Sequence, residues 1–289
     1  MLVKPQDYIT DALNNHYALG SFNSVNLEMT QAIIKAAEKL ESAVIVQTSE
    51  GAIEYAGLAT LAGMIRILAE HSKWPVIMHL DHGKSVASVR KCIAAGYGSV
   101  MIDASKETLL DNMAVTCDVV KEAHQKGVWV EAELGAILGV EGAMDLQGKR
   151  TPDDFLTKPQ QVLDFVEQTG VDALAVSVGT IHGAFTGQEY IRFELVEKIE
   201  QTAPDLPLVI HGASGIANEH LRKVARTNVC KINVDTELRI AFTEAVKAYF
   251  NNTHAKVDIR DIVGPAREAM QDVVEKKIAV FGSGGMADV

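Results

Sequence analysis

A chain of 289 residues that is 47% apolar and 22% charged has the make-up of a globular protein, not of a disordered or fibrous one. Its net charge of −11 excludes the basic surface that nucleic-acid binding needs, and three scattered cysteines, Cys92, Cys117 and Cys230, exclude a disulfide framework or a thiolate zinc knuckle. The N-terminal MLVKPQDYIT has no apolar h-region and the longest apolar stretch, 58–69, is interrupted by Arg66, so no membrane partner is expected and the location is read as cytoplasmic.

Along the chain, short β-rich runs alternate with amphipathic stretches. The runs fall at 18–22, 43–47, 76–80, 99–102, 128–134, 173–178, 208–210 and 229–234. Gly or Pro stands before several of them, as at Trp74-Pro75, Ala95-Gly96, Gly127 and Leu206-Pro207, and stops the preceding helix. Eight such repeats predict a single (β/α)8 TIM barrel over residues 1–289. An open doubly wound sheet is the weaker alternative, because no GxGxxG follows the first run. One connection breaks the rhythm: about 135–158 carries glycines and charges without a clean period, and is expected to be a mobile active-site loop.

In such a barrel the chemistry sits where strands end. The third run reads PVIMHLDHG, and period-two alternation puts Ile77, His79 and Asp81 on one face and Val76, Met78 and Leu80 on the other. If the second set packs on helices, Asp81 points into the mouth and His82 follows at the start of the loop. The sixth and seventh runs lead to VGTIHG and LVIHGASG, so His182 and His211 each precede a glycine at the same rim. Three imidazoles from three strands, with a fourth position open, make the kind of site that binds catalytic Zn²⁺. The other six histidines, His16, His71, His79, His124, His220 and His254, are read as structural. Asp103, Glu131 and Glu133 also gather at strand ends, where they either contact a metal or orient its histidines. Gly212, Ala213, Ser214 and Gly215 after the seventh run, with Asn233, Val234, Asp235 and Thr236 after the eighth, occupy the barrel's habitual phosphate position, so the phosphate is expected to be held by neutral donors.

Taken in order, YALGSFNSVNLE, HLDHG, VMIDAS, EAELG, AVSVGTIHG, LVIHGASG, KINVDTELR and IRDIVGPAREAM closely resemble the class II, metal-dependent ketose-bisphosphate aldolases of the fructose- and tagatose-bisphosphate group, over nearly the whole chain. The resemblance implies reversible aldol cleavage of a ketose 1,6-bisphosphate to dihydroxyacetone phosphate and glyceraldehyde 3-phosphate. The same chemistry on another ketose 1-phosphate or sugar-acid phosphate is the alternative. It implies His82, His182 and His211 as Zn²⁺ ligands, Asp103 and Glu133 at an alternate metal position, Asp81 as acid/base, and Glu141 as the mobile proton carrier for C3. Gly183, the 212–214 and 233–236 segments, Asn23 and Ser49 would hold dihydroxyacetone phosphate, and Arg260 a distal phosphate or carboxylate. A monovalent cation, Na⁺ or K⁺, and a homodimer or homotetramer complete the implied picture. One departure stands out: many fructose-type members carry a cation shortly after the strand-six histidine, where this chain has Thr186 and Gly187.

Two rivals are weighed. A Schiff-base aldolase would use Lys231, on the strand face of Asn233, but nothing nearby lowers its pKa and the three histidines would have no purpose. A silent sugar-phosphate sensor would need neither Asp81 nor Glu141.

Overall fold

In the computed structural model, which describes residues 1–139, 152–183, 191–252 and 258–287, the eight β-rich runs become the strands of a closed parallel barrel. They are β1 Leu19–Asn23, β2 Val44–Ser49, β3 Val76–Gly83, β4 Ser99–Ile102, β5 Trp129–Leu134, β6 Ala173–Val176, β7 Leu208–Ile210 and β8 Val229–Val234. Each pairs in parallel with the next, and β8 returns to β1 through Lys231 opposite Leu19 and Val234 opposite Phe22. Closure leaves the barrel no free edge, so the backbone groups of all eight strands have ladder partners.

The helices begin where the sequence supplies caps. Asn26, Ser85 and Thr108 accept hydrogen bonds from the backbone N–H of Met29, Ser88 and Asp111 at 2.9, 3.1 and 3.2 Å, each contributing about 1 kcal/mol. Apolar residues on one face then bury them against the strands, as Met29, Ile33, Ala36 and Ala37 do for helix Leu27–Lys39. No single helix among the described residues is long and apolar enough to cross a membrane; Leu58–His71 buries Leu61, Ala62, Ile65 and Ala69 in the barrel's outer layer.

Strand alternation sorts the interior into two compartments. Val76, Met78 and Leu80 face the helices with Val44, Val46, Val100, Val130 and Ile232. Ile77 points inward with Ile45, Met101, Trp129, Val209 and Cys230, above a floor formed by Tyr8, Ile9 and Ala12 of helix Gln6–Asn15. Above that apolar plug the inward residues become polar: His79, Glu131 and Lys231 first, then Asp81, Glu133, His211 and Asn233, all buried.

The described ends of the 135–158 connection are bonded to neighbouring segments. At its start, Leu138–Gly139 pairs with Ile181–His182 and Ala136 N–H donates to Phe155 O at 2.8 Å; at its end, Thr157 Oγ1 donates to Leu134 O. Backbone pairing to neighbouring segments, invisible in local composition, ties both ends down. Residues 140–151, Glu141 among them, and 184–190, with Thr186 and Gly187, lie outside the described residues.

Phe165, fully buried under helix Pro159–Thr169, tests the outer layer. Phe165→Ala is expected to cost about 3–5 kcal/mol, read as a lower urea midpoint at unchanged slope.

Candidate metal centre

The site begins with an irregularity in β3. The strand continues through Gly83, so His82 lies inside it and not at the start of a loop. Pairing with β4 shifts register between Leu80 and Gly83, and His82 takes the left-handed conformation at φ 46°. A regular strand would send Asp81 and His82 to opposite faces; the irregularity turns both toward the mouth. Gly83 is required beside it, because a Cβ there would lie 2.5 Å from Met101 O.

His182 and His211 arrive by a second close approach. Gly212 sits at φ 65° with its missing Cβ only 2.3 Å from Ile181 O, so the end of β7 lies directly against the segment carrying His182. The rings of His82, His182 and His211 then meet edge to face, with centroids 4.6–5.8 Å apart. One donor atom from each lies within 4.8 Å of the others. His82, Asp103 and Glu133 form a second such group sharing His82.

Two ring orientations follow from their carboxylate partners. His82 Nδ1 is 2.8 Å from Asp103 Oδ2, and His211 Nε2 is 2.9 Å from Glu131 Oε1. An ionised carboxylate only accepts, so those nitrogens carry hydrogen, and His82 Nε2 and His211 Nδ1 face each other at 2.9 Å. In the metal-free site a hydrogen on His82 Nε2 bridges these two nitrogens; a divalent cation in its place would be held by both. Glu133 Oε2 is buried without a hydrogen-bond partner among the described residues, which favours a cation further. The donor set therefore fits a zinc ion.

The electrostatics agree with a site built for positive charge. Burial disfavours a charged His82, yet Asp81, Asp103 and Glu133 outweigh it and lift the pKa to about 10. Burial, reinforced by His82, lowers His182 to about 4 and keeps His211 neutral. Burial pushes the Glu133 carboxyl up to about 8, with Asp103 adding to the rise. For Asp103 burial works upward, but the His82 hydrogen bond holds the carboxyl far below its usual range.

Asp81 is held by amides. It accepts from Asn23 Nδ2 at 2.8 Å and Asn233 Nδ2 at 3.3 Å, while Gln47 Nε2 donates to Asn23 Oδ1 at 2.6 Å and Ser21 Oγ donates to Gln47. Burial alone would raise this carboxyl, but His82 and its other neighbours keep it below the ordinary value. A cavity of about 220 Å³ opens over it, lined by Asn23, Gln47, Asp81, His182, Gly183, Gly212, Ser214, Asn233, Asp235, Thr236 and Arg239. The N-terminus of helix Thr236–Phe250 borders the cavity through Asp235 and Thr236.

Some residues expected at the site are elsewhere. Arg260 is exposed in the first turn of helix Ile259–Phe281, where the capping Asp258 takes its guanidinium at 2.6 Å, and it does not line the cavity. Ser49 caps helix Glu50–Ala56 by accepting from Ala52 N–H at 3.3 Å. The side chains of Ala213 and Val234 pack in the helical layer, so the ligand contact expected of either would come from its backbone. Arg239 also lines the cavity and donates to Asp235 Oδ1 at 2.7 Å, so the described donors around it are not all neutral. Gln47 and Arg239 were not anticipated: Gln47 had the signal of a polar strand end, whereas Arg239 comes from one turn inside a helix, where only the fold directs it to the mouth.

The family model for fructose-bisphosphate aldolase class-II matches residues 3–286. The fructose-bisphosphate aldolase of Thermus caldophilus is 40% identical over 310 residues, covering 99% of this chain and 100% of that protein. That of Helicobacter pylori is 37% identical, covering 98% and 99%. Among solved structures, the YdjI aldolase of Escherichia coli K12 superposes with a TM-score of 0.88 at 33% identity over 100% of both chains.

Gly212→Ala combines a disfavoured φ with a clash against Ile181 and is expected to cost about 1–3 kcal/mol and to weaken divalent-metal binding. Gly215→Ala is the control, since its φ of 91° is equally unfavourable but its Cβ meets open space. Calorimetry and metal titration of both variants check this; equal metal affinity in the two would dissociate the close approach from the metal centre.

Proposed function

The chain belongs to the class II fructose-bisphosphate aldolase family, and on that premise we propose that it cleaves a ketose 1,6-bisphosphate of the fructose or tagatose type, using one zinc ion held by His82, His182 and His211. Family membership makes it an aldolase, a lyase of reversible aldol cleavage acting on sugar phosphates. The observation supporting the zinc reading is the convergence of His82 Nε2 and His211 Nδ1, each fixed from behind by a carboxylate.

Zinc, when bound, supplies a Lewis acid for the negative charge that cleavage leaves on the dihydroxyacetone phosphate half. Asp81 takes the proton of the C4 hydroxyl as the C3–C4 bond breaks, C4 becomes the aldehyde carbon, and the bonding pair stays with C3. Asn23 and Asn233 hold Asp81 in place for that transfer. Asp103 and Glu133 form the alternate metal position. Glu141, outside the described residues, is assigned the return of a proton to C3 by the family resemblance. Gly183, Gly212, Ser214, Asn233, Asp235 and Thr236 line the cavity end proposed for the 1-phosphate. A homodimer or homotetramer, a cytoplasmic location and a monovalent cation are further proposals of the same resemblance.

One observation favours keeping a second substrate. Arg239 is the one lysine or arginine among the described residues lining the cavity, and Arg260 points elsewhere. The aldehyde half therefore lacks a described cationic partner for a second phosphate, and another ketose 1-phosphate or a sugar-acid phosphate would fit the same chemistry. A screen of aldehydes against dihydroxyacetone phosphate decides between them. The Schiff-base reading has no support, since Lys231 is fully buried in a 2.8 Å ion pair with Glu131 and does not line the cavity.

Asp81→Ala is expected to retain zinc while cleavage falls at least ~10²-fold, measured as turnover beside metal content; near wild-type cleavage would reassign the acid/base. Glu141→Ala should sharply slow exchange of the C3 proton of dihydroxyacetone phosphate with solvent, and unchanged exchange in that variant would remove Glu141 from the mechanism.

A further inference from the structure

Beneath the three imidazoles lies a buried polar set with no part in the proton transfers above. Lys231 of β8 and Glu131 of β5, both at 0% side-chain exposure, pair at 2.8 Å through Glu131 Oε2. Lys231 Nζ stands 3.4 Å from His79 Nε2, and His79 Nδ1 is 2.6 Å from Ser99 Oγ. The second oxygen, Glu131 Oε1, is the one that meets His211 Nε2 at 2.9 Å.

Donor and acceptor capacities give this chain one consistent direction. An ammonium group only donates, so it demands an acceptor at Glu131 Oε2 and another at His79 Nε2, which leaves His79 Nδ1–H to donate to Ser99. Glu131 therefore accepts on both sides, and His211 must present Nε2–H to it. The lone pair of His211 is then on Nδ1, 2.9 Å from His82 Nε2. We propose that Lys231 is a positioning residue that acts through Glu131: the two together fix the tautomer of His211 in which Nδ1 is the metal-binding nitrogen. The inference rests on the reading that His82, His182 and His211 hold zinc. An ion pair that merely tied β5 to β8 would be indifferent to which His211 nitrogen carries hydrogen.

The distinction can be tested by reversing one donor. In Glu131→Gln the shape is kept, but Lys231 still demands the oxygen, so the amide NH2 faces His211 Nε2. Nε2 must then accept, hydrogen moves to Nδ1, and the metal loses a lone pair. Zinc affinity, measured by chelator competition on the full chain, should fall ~10- to 100-fold, the scale for outer partners of metal ligands. Adding Lys231→Met removes the demand and lets the amide turn over, so the double variant should regain at least ~10-fold of that loss. A purely structural ion pair predicts the opposite, with the double variant no tighter than Glu131→Gln. Wild-type affinity in Glu131→Gln, or absence of rescue in the folded double variant, overturns the proposal. A measurement needing no variant is the ring-nitrogen NMR of the histidine-labelled, metal-free wild type: hydrogen on His211 Nε2 is expected, and hydrogen on Nδ1 overturns it. Failure of the wild type to bind zinc at all would instead overturn the underlying metal assignment.

Discussion

Four carboxylates buried in the barrel mouth set the terms for everything around them. Asp81, Glu131 and Glu133 are at most 2% exposed, and Asp103 is only partly open. A charge in such a place persists only if it is paired or hydrogen-bonded. Asp81 is satisfied by two asparagine amides, Asp103 by His82 and Ser105, and Glu131 by His211 and Lys231. Glu133 is the exception, with one oxygen bonded to Ile137 N–H and the other 3.8 Å from His82 Nδ1 and without a hydrogen-bond partner among the described residues. These carboxylates surround the point where three imidazoles converge, an arrangement that suits a divalent cation.

Two glycines make that convergence possible. Gly83 and Gly212 stand where another backbone comes closer than any Cβ permits, one beside Met101 O and the other beside Ile181 O. The first allows β3 to deliver Asp81 and His82 together; the second seats His211 beside His182. Backbone strain at His82 is tolerated because Asp103 holds the ring and the pairing of Leu80 and Gly83 with β4 holds the strand on either side. The proposed proton carrier and the proposed metal ligand are thus neighbours in sequence and in space, a combination that regular strand alternation forbids.

The same rim divides the substrate problem into two halves of unequal clarity. The turns after β7 and β8, the N-terminus of helix Thr236–Phe250 and Arg239 border the cavity, and so do Asn23, Gln47 and Asp81. The first set suits the proposed phosphate and the second the proposed proton transfer. Chemistry common to the family is therefore built from the rigid strand ends, while discrimination between aldehydes is left to whatever completes the cavity.

Strand alternation and Gly/Pro punctuation are local properties, so the eight strands and the inward set Ile77, His79 and Asp81 were readable from the chain alone, as were the histidines before strand-end glycines. Their local signal is strong because a parallel barrel demands apolar strands and polar strand ends in every repeat. The left-handed turn at His82, the anchoring of the 135–158 connection and the burial of Ala213 and Val234 depend on which strand lies beside which, and no local pattern carries that information. Arg239 and Arg260 make the point together. Both are helical arginines near an aspartate, yet one lines the cavity and the other is drawn into a surface ion pair. His79 and Lys231 show it again, since residues far apart in sequence become one hydrogen-bonded chain only when barrel closure fixes which side chains share its interior.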